Sequence, residues 1–254
     1  MSEPILLEHV PTIDPETSPL YLSRLELNRR NILVHREVTD SQAFHRRILD
    51  AFPRLDEEHT DAARATLGVL YRLDPIRTDN TIIVALVQSV AAPNWSVLPP
   101  GYVAGEERWD TVWDGAGISV KRLDDRYRAI ETGQFLRFRL RANPTRRDAT
   151  RGGKRVALTD DEFGAWFQRK ETQHGFRLHD IRFRDDPLVG DTQTGRKPSE
   201  KPGRDRLTHA AVLFEGILEV TDAAVFRAAL WQGIGSAKAY GFGLLSVAPV
   251  VREG

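Results

Sequence analysis

The chain has 254 residues, 41% of them hydrophobic and 28% charged, and its 36 basic and 36 acidic side chains cancel to a net charge of zero. That balance excludes a protein coated all round in nucleic acid but leaves room for a local basic groove, because patches rather than totals bind phosphate. The absence of cysteine removes disulfides, thiolate nucleophiles and cysteine-bound zinc together, so an enzyme here works with His, Lys, Tyr, carboxylates or a hard metal. No apolar stretch is long enough to span a bilayer. The proline-rich, acidic start MSEPILLEHVPTIDPETSPL lacks the basic opening and apolar core of a signal peptide, so a cytoplasmic location with no membrane partner is expected.

Residues 1–19 read as a flexible lead. A strand follows at Tyr21 to Asn28, with a phase slip at Ser23 and Arg24. Thr39 or Asp40 caps a helix whose apolar residues Phe44, Ile48 and Phe52 recur at helical spacing, closed by Pro53. TLGVLYRLD and NTIIVALVQSV read as two strands joined by a turn around Pro75 to Asn80. A weak helix is expected around Arg122 to Ile130. In FLRFRLRANP, Phe135, Phe138, Leu140 and Ala142 read as one face and Arg137, Arg139 and Arg141 as the other.

The second half repeats the order: KRVAL as a short strand, then a helix over DDEFGAWFQRKETQHGF with Phe163, Trp166, Phe167 and Lys170 near one face and Gly175 as its stop. FRLHDIRFR and HAAVLFEGILEV are strands, TDAAVFRAALWQG is a helix capped by Thr221 or Asp222, and GFGLLSVAPVV is the last strand. Strand, helix, two strands, helix, strand is the order of a ferredoxin-like (RRM-like) βαββαβ domain. The expected fold is α+β with two such domains in tandem, residues 20–145 and 146–254. Two polar stretches, NPTRRDATRGGK and DDPLVGDTQTGRKPSEKPGRDR, read as mobile loops.

GIGSAKAYGFGLLSV carries Gly233, Gly235, Gly241 and Gly243 around Lys238. It follows a helix, so it is no dinucleotide fingerprint, and it lacks the Walker spacing. A helix C-cap and turn account for Gly233 and Gly235. Gly241 and Gly243, read at the start of a strand, clear one face for the approach of another backbone, and Lys238 beside them suits a phosphodiester.

This stretch resembles the glycine-rich C-terminal motif of the CRISPR-associated repeat-processing endoribonucleases, in particular the CasE family of type I-E systems. YLSRLELN, FHRRILDAFP, LVQSVAAPNWSVLP, GQFLRFRLRANPT and GKRVAL resemble that family in the same order, over Tyr21 to Pro249. The resemblance implies tandem ferredoxin-like domains and an endoribonuclease. Such an enzyme binds the stem-loop of a CRISPR repeat, cuts once at the base of its 3′ side, and keeps the hairpin within Cascade. Its partners are then the repeat RNA, other Cascade subunits and, indirectly through the complex, target DNA.

FHRRIL places His45 where the family keeps its catalytic histidine, while the residues alone also allow a border histidine packed on Leu49. Metal-free RNA cleavage uses the neighbouring 2′-hydroxyl as nucleophile and needs a group titrating near neutrality, as base or as acid. Gln42 stands where some family members carry a tyrosine, and Arg46 and Lys238 are the candidates for charge stabilisation. Arg139, Arg141, Arg146, Arg147, Arg151, Lys154 and Arg155, with Gly233, Gly235, Lys238, Gly241 and Gly243, are expected to bind RNA. Arg196, Lys197, Lys201, Arg204 and Arg206 either close over RNA or belong to a disordered linker. His9, His35, His59, His174, His179 and His209 show no ligand spacing. No metal site or cofactor is expected. A hairpin-binding subunit that does not cleave is the alternative, and Gln42 is its motive. A sequence-tolerant RRM-like binder is disfavoured, because the aromatics alternate into the core pattern.

Overall fold

The computed structural model describes residues 13–54, 63–75, 81–105, 109–110, 117–186 and 211–250. Strands β1 (Tyr21–Asn28), β2 (Leu70–Pro75), β3 (Ile82–Ser89), β4 (Trp109–Asp110) and β5 (Ile118–Arg122) form one sheet in the order β2-β3-β1-β5-β4. The antiparallel order β2-β3-β1-β5 is that of a ferredoxin-like sheet. β1 stays in unbroken register with β3, from Tyr21 opposite Ser89 to Asn28 opposite Ile82. The phase slip in its sequence is therefore a change of partner. Leu25 and Leu27 face the core under the helices of this unit, whereas Leu20 and Leu22 join the core of the other unit.

Helices α1 (Ile32–Val38), α2 (Ser41–Leu49) and the single turn α3 (Ala63–Thr66) lie between β1 and β2. α1 carries no periodic apolar signal because it buries only Val34 and Val38, and the Asn31 side chain starts it by accepting from the Leu33 N–H. The expected second helix of this unit is displaced in order: α4 (Asp124–Arg128) follows β5 instead of preceding the fourth strand. Between β3 and β5 the described residues form no α-helix, only a 3₁₀ turn at Trp95–Val97 and the two-residue β4. The Trp95 indole donates to Ser23 Oγ at 2.9 Å, which pins that turn to β1.

The second sheet combines β6 (Phe135–Ala142), β9 (Phe176–Asp185), β10 (Val212–Val220) and β11 (Leu245–Pro249) in the order β11-β6-β10-β9, again the ferredoxin-like arrangement. Helices α5 (Phe163–His174) and α6 (Ala223–Gln232) complete it. β6 thus opens the second sheet, and the break between sheets falls between Arg122 and Phe135 instead of near residue 145. Alternation alone shows which faces a strand has, not which sheet it joins. Phe135 shares the exposed face of Arg137 and Arg139, opposite to Leu136, Phe138 and Leu140. The stretch read as a mobile basic loop is a hairpin, β7 (Thr145–Asp148) with β8 (Lys154–Ala157), so KRVAL belongs to an insertion between β6 and α5. The polar stretch at 187–206 lies outside the described residues, as do residues 1–12, His9, His59 and His209.

From Ile13 the lead is tied down. Arg128 donates to Pro15 O at 2.9 Å and Ser18 O at 2.7 Å, Arg227 pairs with Glu16 at 3.0 Å, and Ile13 packs on the core. The two sheets are joined by polar groups that sequence reading does not reveal. Arg72 is buried, pairs with Asp74 at 2.8 Å, and reaches across to Ser246 Oγ at 2.9 Å. Gln88 donates to Leu230 O at 2.8 Å. A buried arginine without its acid costs several kcal/mol (about 3–5), so Asp74 is integral to this contact.

Candidate functional site

Asp40 caps α2 by accepting the N–H groups of Gln42 and Ala43, both at 3.0 Å. With the start fixed, Phe44 and Ile48 turn into the core and His45 lies one position round, half-buried at the edge. Its Nδ1 is buried with no hydrogen-bond partner among the described residues. Burial first, then the charges of Arg64 and Arg46, push the imidazole down to about 4, so the ring is neutral at pH 7. Gln42 and Arg46 are exposed on the same helix.

α2 packs against a 3₁₀ turn, Lys238–Tyr240, inside the glycine-rich stretch. Tyr71 of β2 holds that turn: its hydroxyl donates to Ala239 O at 3.1 Å, and its ring meets Phe44 edge-on at 5.3 Å. All four glycines have positive φ: 74° at Gly233, 91° at Gly235, 80° at Gly241 and 88° at Gly243. A Cβ on Gly241 would sit 2.8 Å from the Tyr71 ring, and one on Gly243 would sit 2.8 Å from Ile234 O. What needs these two glycines is the chain itself, through the Tyr71 ring at Gly241 and its own backbone at Gly243. Gly241 and Gly243 precede β11, and the expected clear strand face is a tight loop closed by Ile234 N–H donating to Gly243 O (2.9 Å) and tied to β6 by Gly243 N–H donating to Arg141 O (2.8 Å). The loop's product is the placement of Lys238, half-buried, whose ammonium is pushed down to about 8 by burial and by Arg64 and Lys170.

The hairpin supplies a second cationic region. Its register sets Arg147 directly opposite Arg155, a like-charge pair that destabilises a hairpin unless an anion neutralises it. Both are exposed, and neither has an acidic partner among the described residues; Arg146 pairs with Glu162 at 3.1 Å. Together with Thr145, Trp166, Lys170, Gly235 and Ser236 these three arginines line a notch of about 230 Å³. Lys154 is exposed at the hairpin's end, and Arg151 is described in backbone only. Replacing Arg147 and Arg155 together with alanine is expected to weaken RNA binding and to lower the slope of log affinity against log salt by about 0.9 per lost contact, the duplex DNA value. An unchanged slope in a filter-binding titration would leave both arginines facing solvent.

Among the expected RNA contacts, Arg141 is withdrawn into the core and Arg139 meets carboxylates on the surface. Arg141 is 1% exposed, paired with Asp186 at 2.8 Å, and stacked 4.4 Å from the Phe242 ring centre. It donates to Gly241 O at 3.4 Å and so braces the glycine loop from beneath. Arg139 lies on the open face of the second sheet, bonded to Glu215 at 2.6 Å and 3.7 Å from Asp74. A strand of alternating arginines cannot by itself reveal which of them meets an acid from a distant strand. His35 is exposed, and His179 bonds Glu219 at 2.8 Å. His174 is half-buried and pushed down to about 4 by burial and by Lys170 and Lys238.

Arg64, Lys170 and Asp186 escaped sequence reading. Lys170 had a signal, a lysine at i+7 in the apolar stripe of Phe163, Trp166 and Phe167, and its ammonium lies 5.8 Å from the Trp166 ring. Arg64 had none, since it follows an acidic run on a helix of one turn.

Tandem ferredoxin-like sheets joined at a glycine loop, with a basic hairpin inserted in the second, define the architectural class of this chain. A sequence model of the family described as CRISPR associated protein matches residues 20–249, and the chain belongs to that family. It is 36% identical over 237 residues to the CRISPR-associated endoribonuclease Cse3 of Thermus thermophilus, covering 91% of this chain and 100% of that protein. It is 34% identical over 134 residues to the Cascade subunit CasE of Escherichia coli, covering 48% of this chain and 61% of the relative. The structure of Thermus thermophilus Cse3 bound to an RNA representing a pre-cleavage complex superposes with a TM-score of 0.69 at 33% identity, covering 91% of this chain and 100% of that one.

Proposed function

We propose that this chain is a metal-independent endoribonuclease that binds the stem-loop of a CRISPR repeat, cuts the precursor RNA once, and retains the hairpin as a subunit of Cascade. The observation that carries this reading is His45, a neutral, half-buried imidazole set among cations where α2 meets the glycine loop. The relatives' names support it, one an endoribonuclease and one a Cascade subunit. The cytoplasm is the proposed location, and no helix among the described residues is long and apolar enough to cross a membrane. Contact with target DNA is indirect, through the guide RNA.

The chemistry follows from two groups whose environments set them apart. The 2′-oxygen attacks the adjacent phosphorus while its proton passes to the neutral His45 ring. The P–O5′ bond breaks with its electron pair on oxygen, and that oxygen takes a proton from the Lys238 ammonium. The products are a 2′,3′-cyclic phosphate and a 5′-hydroxyl, and no water is consumed. Arg46, exposed beside His45, pairs with a phosphate, and Gln42 orients one without donating an acidic proton.

The direct test incubates labelled precursor RNA carrying the host repeat with the protein in EDTA. One cut with those end groups is expected. Intact RNA in a stable complex would instead make the chain a holding subunit, the reading that Gln42 favours. The pH dependence carries its own expectation. kcat/KM requires neutral His45 and protonated Lys238, so it falls below about pH 4 and above about pH 8. The alkaline limb should disappear in Lys238→Arg, and its persistence would assign it to another group.

A further inference from the structure

We infer that Arg64, on the single turn α3, is a further catalytic residue: its guanidinium contacts a non-bridging oxygen of the scissile phosphate and stabilises the charge of the pentacoordinate transition state. The inference rests on the reading of His45 and Lys238 as the site of RNA cleavage.

Arg64 is held at the junction where three elements meet. Its Nη1 donates to Val69 O at 3.2 Å, and its own carbonyl accepts the Val69 N–H at 2.9 Å. The next two residues are the ones the glycine loop rests on. The Leu70 side chain lies 2.8 Å from where a Cβ on Gly233 would be, and Tyr71 supports Gly241 and Ala239. Tyr71 also touches Phe44, the neighbour of His45. The bond to Val69 thereby anchors the guanidinium beside the strand that supports the glycine loop and touches α2. Its charge is among those acting on both.

The structure gives Arg64 no carboxylate partner among the described residues. Half-buried, it is pushed down by desolvation alone. Other interior arginines are compensated, Arg72 by Asp74, Arg141 by Asp186 and Arg47 by Glu37. At this junction Arg64 raises the cost of the Lys238 charge, and Lys170 is a further cation acting on Lys238. A cluster of partly desolvated cations with no acid among the described residues is costly unless an anion enters, and a preorganised donor aimed at developing charge is worth most where water is excluded. The bond to Val69 O uses one of five guanidinium donors, so the rest of the fork remains for a phosphate. This also supplies the charge stabilisation that Gln42 cannot.

The experiment compares Arg64→Gln and Arg64→Lys with wild type and His45→Ala on the same repeat stem-loop. It measures melting temperature, Kd, and single-turnover rate at saturating protein. Gln keeps a donor for Val69 O and removes the charge. Arg64→Gln is expected to lower the rate by about 10²-fold with Kd within about threefold. Its alkaline limb should move above the wild-type position, because a cation beside Lys238 has gone. Arg64→Lys should recover at least about tenfold of the loss. Arg64→Gln cleaving at the wild-type rate while His45→Ala is inactive would overturn the inference. So would equal losses in both variants with a lowered melting temperature and an unmoved limb, which describe packing. If His45→Ala also cleaves normally, the reading of the site fails instead.

Discussion

Replacing His45 with alanine is expected to slow single-turnover cleavage by about 10²-fold or more, the scale of a lost acid–base group, while hairpin affinity changes only a few-fold. The separation follows from geometry. In the proposed reading affinity comes from exposed cations such as Arg147 and Arg155 on the hairpin, whereas His45 lies on another element, α2. Its ring is neutral at pH 7, so its removal deletes no charge from the RNA-binding surface. It deletes the one group of α2 able to take a proton at that pH. Equal rates for mutant and wild type would remove His45 from the chemistry, and a parallel collapse of affinity would make it a binding residue.

A single 2′-deoxy substitution, on the nucleotide 5′ of the scissile phosphate, is expected to abolish cleavage and spare binding. In the proposed mechanism His45 and Lys238 move protons and supply no nucleophile, so the substrate must bring one. Only RNA does, through the hydroxyl beside the phosphate. The same reasoning predicts that EDTA leaves the rate unchanged. Robust cutting of the deoxy substrate, or a strict need for Mg²⁺, would make water the nucleophile and displace His45 from the role of base to the 2′-hydroxyl.

Local signals in the sequence carried much of this architecture. β1 runs from Tyr21 to Asn28 as its alternation predicts, Asp40 caps α2, and Gly175 ends α5 with φ of 67°. These features are written in neighbouring residues. What alternation leaves open is partnership across the chain. β6 reads the same whether it closes the first sheet or opens the second, and only its hydrogen bonds to β10 and β11 decide. Arg139 and Arg141 look alike in sequence, yet one is 45% exposed and the other is buried against Asp186, 45 residues away. The glycines were legible as a requirement for close approach, but their approach to the chain's own Tyr71 ring and Ile234 carbonyl was not, because nothing local says that these groups face Gly241 and Gly243. His45 was reached through a resemblance of short motifs. Its unpartnered Nδ1 and its cationic neighbours come from packing.

The hydrogen bond from Tyr71 to Ala239 spans 168 residues. A nascent chain that has emerged only as far as Leu230 already holds His45 and Arg64 but has no Lys238 beside them. Loop-closure entropy disfavours such a distant contact until the intervening strands have formed. On the proposed reading the site is then expected to be completed late in folding, later than the local hairpin of β7 and β8. Ligand that grips both halves opposes their separation, so bound repeat should protect the amides of Ile234 and Gly243 from hydrogen exchange beyond their protection in free protein.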